Sequence, residues 1–217
     1  MPRLAVFDCD GTLVDGQASI CAAMAQAFGA FGLPLPPHNE VRRAVGLSLP
    51  MAVARLLPGA EPEQHLAVAE AYKQAFRAAR RSGELQQPLY EGIAPLLGAL
   101  RGAGWLLGVA TGMSRRGLDH CLAMHGLTSH FATLQTADDH PSKPHPAMLE
   151  AALREVGADA RDAVMIGDTA FDMAMAGAAG VRAIGVDWGY HEAAELVAAG
   201  AEIVAGDRAQ LGEYLLS

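Results

Sequence analysis

Apolar positions along this chain follow two different rhythms, and the switch between them divides it. Leu4-Ala5-Val6-Phe7 is a short, unbroken apolar run, as expected of a strand buried on both faces. Beyond a polar stretch, Ile20, Met24, Phe28 and Phe31 recur at helical spacing and predict an amphipathic helix over about 19–31. Leu33-Pro34-Leu35-Pro36-Pro37 ends it, because proline cannot donate to a helix and clashes with the preceding turn. Three more helices are expected around 39–44, 49–57 and 62–81. In the last of these, Leu66, Ala69, Tyr72 and Phe76 make an apolar stripe, against a face carrying Glu70, Lys73, Arg77 and Arg80. Nothing between Ala18 and Glu84 has the pattern of a strand.

From Pro88 onward helix and strand alternate. Strands are predicted at 105–110, 132–136, 163–166, 182–186 and 202–204. Helices are predicted near Ile93–Leu100 and over 114–124, 146–156, 170–179 and 192–198, with a further one at the C-terminus. Such alternation implies an α/β architecture: a doubly wound, mostly parallel sheet covered by helices on both faces. The helical block interrupts it directly after the first strand. The expected organisation is a core of residues 1–15 and 88–217 with an inserted all-helical cap at 16–87, joined near Asp15–Gly16 and Gln86–Gly92.

Composition adds limits. Hydrophobic residues make up 51% of the chain and charged ones 18%, enough for a core and far from a disordered composition. The formal net charge of −8, without any long Lys/Arg run, argues against nucleic acid or an anionic membrane as partner. Cys9, Cys21 and Cys121 lack C-x-x-C spacing, so neither a disulfide framework nor a zinc site is expected, and a reducing cytoplasm is the natural compartment. No leader-like segment precedes the first strand, and no stretch is apolar enough to span a bilayer. We therefore expect a soluble, cytoplasmic protein.

The candidate chemistry begins where the first strand ends, in Asp8-Cys9-Asp10-Gly11-Thr12. Strand side chains alternate between faces, so Asp8 and Asp10 project together while Cys9 points away. Paired carboxylates at the end of a buried strand repel one another unless a cation lies nearby. The arrangement suits a hard divalent ion held by oxygens, with one carboxylate free to act as a nucleophile. In open α/β sheets ligands sit beyond the carboxyl ends of the strands. Later strands deliver Thr111-Gly112, a loop with Lys143 between Ser142 and Pro144, and Gly167-Asp168-Thr169-Ala170-Phe171-Asp172 to that same edge. Each is ambiguous alone: Thr111 as a helix cap, Lys143 as a loop lysine, Asp168 and Asp172 as acids at a helix terminus. Their joint occurrence at strand ends is what points to a site.

These four motifs resemble those of the haloacid dehalogenase superfamily, in the branch with a helical cap inserted after the first motif. The resemblance runs over essentially the full length, and in overall texture and the segment Val45-Gly46-Leu47-Ser48-Leu49 it is similar to phosphoglycolate phosphatases. It implies a Rossmann-like core and an Mg²⁺-dependent phosphatase acting on a small phosphorylated metabolite, as a monomer or homodimer. By that resemblance Asp8 is the nucleophile and Asp10 the general acid and base. The Mg²⁺ set comprises Asp8, Asp10 (through its carbonyl), Asp168 and Asp172, the last acting indirectly. Thr111 and Gly112 would hold phosphate, Lys143 would offset negative charge, and Arg43 and Ser48 of the cap would reach the substrate. Arg115 and Arg116 are further candidates for attracting an anion, and Trp188-Gly189-Tyr190 for lining the rim. Gly112 departs from the family's frequent Asn. A dehalogenase is disfavoured because that branch lacks the equivalent of Asp10. A phosphomutase or pyrophosphatase shares the motifs, and a non-catalytic member would be expected to have lost one of them.

Overall fold

A computed structural model describes residues 2–217. Its centre is a six-stranded parallel sheet in the order β3-β2-β1-β4-β5-β6. The strands are β1 (Arg3–Phe7), β2 (Trp105–Thr111), β3 (Thr133–Thr136), β4 (Ala163–Gly167), β5 (Arg182–Val186) and β6 (Ile203–Ala205). All five pairings are parallel. The chain winds outward from β1 through β2 to β3, then returns to the other side of β1 with β4. That reversal opens a crevice at the carboxyl ends of β1 and β4.

Strand alternation decides which face each residue serves. Ala5, Phe7, Val164 and Ile166 join one apolar cluster with α5 (Ile93–Gly102), α6 (Arg115–Met124) and α10 (Arg208–Leu216). Leu4, Val6, Ala163 and Met165 join a second with α7 (Ala147–Val156), α8 (Ala170–Ala178) and α9 (Ala193–Ala198). The period of two continues past the strand: Cys9 falls in the first cluster, so Asp8, like Leu4 and Val6, points to the side of α7 and α8.

Between β1 and α5 run the helices α1 (Gln17–Ala30), α2 (His38–Ala44), α3 (Leu49–Leu56) and α4 (Pro62–Ser82), as the periodicity predicted. They enclose their own apolar cluster around Met24, Phe28, Val53 and Val68. The two connections to this block lie side by side. Asp15 N–H donates to Pro88 O at 2.9 Å and Tyr90 N–H to Leu13 O at 3.0 Å. Among the described residues, no helix is long and apolar enough to cross a membrane.

Candidate active site

The ends of β1 and β4 bring the carboxylates together. Asp8 N–H extends the ladder to Ile166 O at 2.9 Å, which sets Asp8 beside the start of the β4 loop. Gly11, at φ +90°, turns the chain there, and a Cβ on it would lie 2.1 Å from Asp168 Oδ2. Only glycine combines that backbone with that proximity. Side-chain oxygens of Asp8, Asp168 and Asp172 come within 4.8 Å of one another, all three residues buried. The carboxylate of Asp10 stands apart from this trio, 3.5 Å from the Gln87 amide that donates to it.

Lys143 reaches the cluster from the loop before α7, on the face that alternation assigned to Asp8. Its Nζ lies 3.0 Å from Asp8 Oδ1 and 2.6 Å from Asp172 Oδ1, with the lysine side chain fully buried. Asp172 is held from behind as well: its Oδ2 accepts from Thr169 N–H at 3.1 Å and Thr169 Oγ1 at 2.7 Å, closing a capping box at the start of α8. Asp168 accepts from Thr12 Oγ1 at 2.7 Å and Tyr190 N–H at 3.0 Å. Asp8 Oδ1 also accepts from Cys9 N–H at 2.6 Å, whereas its Oδ2 is buried without a hydrogen-bond partner among the described residues.

The electrostatics follow from burial. Withdrawal from water pushes the Asp8 carboxyl up to about 7, with Lys143 opposing the shift and Asp172 adding to it. Burial likewise raises Asp10 to about 6, opposed by the Gln87 amide and by Lys143. Asp168 is driven well above the carboxylate range by burial, then by Asp8 and Asp172. Burial works against the charge of Lys143, yet Asp172 and Asp8 outweigh it and hold the ammonium above its ordinary range. One lysine thus contacts two of three clustered buried acids, and Asp168 has no ion-pair partner among the described residues.

A cavity of about 400 Å³ opens above Asp8 and Asp10, and Thr111, Gly112 and Ser48 also line it. Thr111 is buried at the end of β2. Gly112 has a role its neighbours in sequence do not suggest: a Cβ there would meet Leu47 O at 2.3 Å, so the bare backbone lets the α2–α3 segment approach the core. Ser48 N–H reinforces that approach by donating to Ser142 Oγ at 2.8 Å.

Arg43 corrects an expectation. It does not line the cavity; its guanidinium forms a two-pronged ion pair with Glu195 at the start of α9, tying α2 to the core. The α2 helix turns this side chain outward. Arg115 is likewise engaged elsewhere, donating to Leu134 O at 3.0 Å, whereas Arg116 lines the cavity. Trp188 and Tyr190 act as anchors: Trp188 Nε1–H donates to Thr12 O at 3.1 Å, and Gly16 N–H to the Tyr190 hydroxyl at 3.2 Å. Thr12, Gln87 and Thr169 hold site carboxylates without having been singled out in the sequence. Gln87 offered no signal beyond its place in a joint, but Thr169, three residues before Asp172, was a legible capping box.

Comparison with known proteins identifies the family. The haloacid dehalogenase-like hydrolase family matches residues 5–186. The chain belongs to that family. Within it, the chain is 36% identical over 209 residues to a Dickeya dadantii protein named "Probable phosphatase IndB", covering 94% of this chain and 89% of the relative. It is 27% identical to the phosphoglycolate phosphatase of Vibrio parahaemolyticus, over 98% of this chain and 96% of that one. A crystal structure of a predicted phosphatase from Clostridium acetobutylicum superposes with a TM-score of 0.90 at 24% identity, covering 100% and 99% of the two chains, and shares the fold. This haloacid dehalogenase-like chain is thus a hydrolase of the phosphatase type.

Proposed function

We propose that the protein hydrolyses a small phosphate monoester through an aspartyl-phosphate intermediate, with Asp8 as nucleophile. The observation that carries this reading is the asymmetry of Asp8. One oxygen is fixed by Lys143 and Cys9 N–H, while the other is buried, unpartnered and part of a residue at the cavity floor. A nucleophile needs that combination of fixed orientation and a free lone pair.

In the first step Asp8 Oδ2 bonds to phosphorus as the bond from phosphorus to the ester oxygen breaks. Asp10, at about 6 poised near neutrality, gives its proton to the departing alcohol. In the second step Asp10 takes a proton from a water that attacks phosphorus, and phosphate leaves as the Asp8 carboxylate is restored. Lys143 spreads positive charge over the gathering anions, and Thr111 stands at the cavity wall to hold a phosphate oxygen.

The donor set fits Mg²⁺: hard oxygens only, from three buried carboxylates whose oxygens lie within 4.8 Å of one another. Asp8 and Asp168, with the Asp10 carbonyl, would hold the ion, and Asp172, whose Oδ1 is tied to the Lys143 ammonium, would support it indirectly. When bound, Mg²⁺ supplies neutralisation of the phosphate charge. Residues 16–87 would serve as a cap that excludes water from the reaction. The test is phosphate release from a panel of monoesters, with Mg²⁺ and with EDTA, for wild type beside Asp8→Asn. Metal-dependent release lost in the variant supports the reading; undiminished release by Asp8→Asn overturns it.

A further inference from the structure

The cavity wall is made largely of apolar side chains, and it also carries a group of cations. Ile20, Met24, Val41, Leu47, Tyr72 and Phe76 face the cavity, the last two stacked with ring centroids 5.7 Å apart. About 400 Å³ falls among pockets that enclose ligands far larger than a two-carbon acid. Lys73, Arg77 and Arg80 of α4 and Arg116 of α6 also line it. In a chain of net charge −8, four cations lining one cavity run against the overall balance.

Their pairing is incomplete. Glu70 alone serves both Lys73, at 3.7 Å, and Arg77, at 3.6 Å. Arg80 and Arg116 have no ion-pair partner among the described residues, and Arg80 Nε is buried without an acceptor. Burial holds the Arg80 guanidinium below its usual range, and Arg116 and Arg77 add repulsion. Asp138 is the one further acid lining this cavity, and it accepts from the Arg115 backbone N–H at 2.9 Å. Mutually repelling guanidiniums with an unmet buried donor form a site that an incoming anion would satisfy.

We propose that the substrate is a phosphate monoester whose leaving group has an apolar body larger than glycolate and ends in a second anionic group, a carboxylate or phosphate, received by Arg80 and Arg116. This deepens the phosphatase reading and rests on it. The apolar body fills the wall, the scissile phosphate lies on Asp8, and the distal anion sets the register of the leaving group. A planar, always-charged guanidinium suits either oxyanion by paired hydrogen bonds.

The test compares kcat/KM for phenyl phosphate, 4-carboxyphenyl phosphate, the corresponding phenylene bisphosphate and phosphoglycolate, in wild type, Arg80→Gln and Arg116→Gln. The ratio of charged to uncharged aryl ester is read within each preparation, so partial misfolding of a variant cancels. Wild type is expected to prefer a charged aryl ester by at least about tenfold, the scale of one charge-assisted hydrogen bond. It should also turn that ester over better than phosphoglycolate, and the preference should collapse towards unity in the variants. Which charged ester wins distinguishes carboxylate from phosphate. Turnover of phenyl phosphate without a charged preference, or a preference that survives both substitutions, overturns this inference and leaves the phosphatase reading standing. No release from any monoester overturns both.

Discussion

Lys143 Nζ and Asp172 Oδ1 lie 2.6 Å apart with both side chains fully withdrawn from solvent. The same ammonium is 3.0 Å from Asp8 Oδ1, so a single charge stabilises two acids on different elements. Removing it strands both. Lys143→Met, similar in length and uncharged, is expected to lower folding stability by about 3–5 kcal/mol, the scale of breaking a buried pair. Phosphate release should fall by about 10²–10³-fold, the scale of one lost electrostatic stabiliser. Urea unfolding and steady-state kinetics on the same preparation check the two effects.

Asp8→Asn is expected to abolish turnover while leaving the fold in place. The change is nearly isosteric, and it removes a carboxyl whose ionisation burial already opposes. A far-ultraviolet circular dichroism spectrum matching wild type, with no detectable phosphate release, is the anticipated result.

Gly112→Ala should displace the α2–α3 segment without weakening the core of the sheet. The added Cβ would meet the backbone oxygen of Leu47 at 2.3 Å, and a backbone atom cannot swing aside as a side chain can. The α2–α3 segment must then retreat from Thr111. A loss in kcat/KM of up to about 10²-fold is expected from misplacement on the ångström scale. Kinetics together with limited proteolysis at the two joints measure it, with faster cleavage anticipated.

Arg43 and Glu195 make a partly exposed fastener between α2 and α9, their side chains 39% and 32% exposed. Arg43→Ala is expected to cost about 1 kcal/mol or less in global stability, as surface pairs do. Bonding to Arg43 holds the Glu195 carboxyl below its ordinary value of 4.5. Its contribution is therefore present above that value and lost as pH falls through the lower, folded-state value. A pH series of thermal melts should show the gap between wild type and Arg43→Ala closing below about pH 4.5, the unfolded-state value.

Much of this protein follows from local pattern. The unbroken apolar run before Asp8, the helical spacing of Ile20, Met24 and Phe28, and the later alternation of strand and helix define the parallel sheet and the helical insert. They do so because burial on two faces, on one stripe or on none leaves a distinct period in the chain. The same logic led to Asp8, Thr111, Lys143 and Asp168, since polar residues at the ends of buried strands in such a sheet, or in the loops that follow them, meet at one edge.

Tertiary structure decided what periodicity cannot carry. Arg43 turns to Glu195, 152 residues away, and Thr12 to Asp168, 156 residues away, because layer stacking sets those neighbours and no short-range spacing encodes it. The polar face of α4 has the pattern of a solvated surface, yet Lys73, Arg77 and Arg80 line the same cavity as Asp8 and Asp10. A helical period separates polar from apolar positions; whether the polar stripe meets open water or an enclosed ligand site depends on what packs across from it.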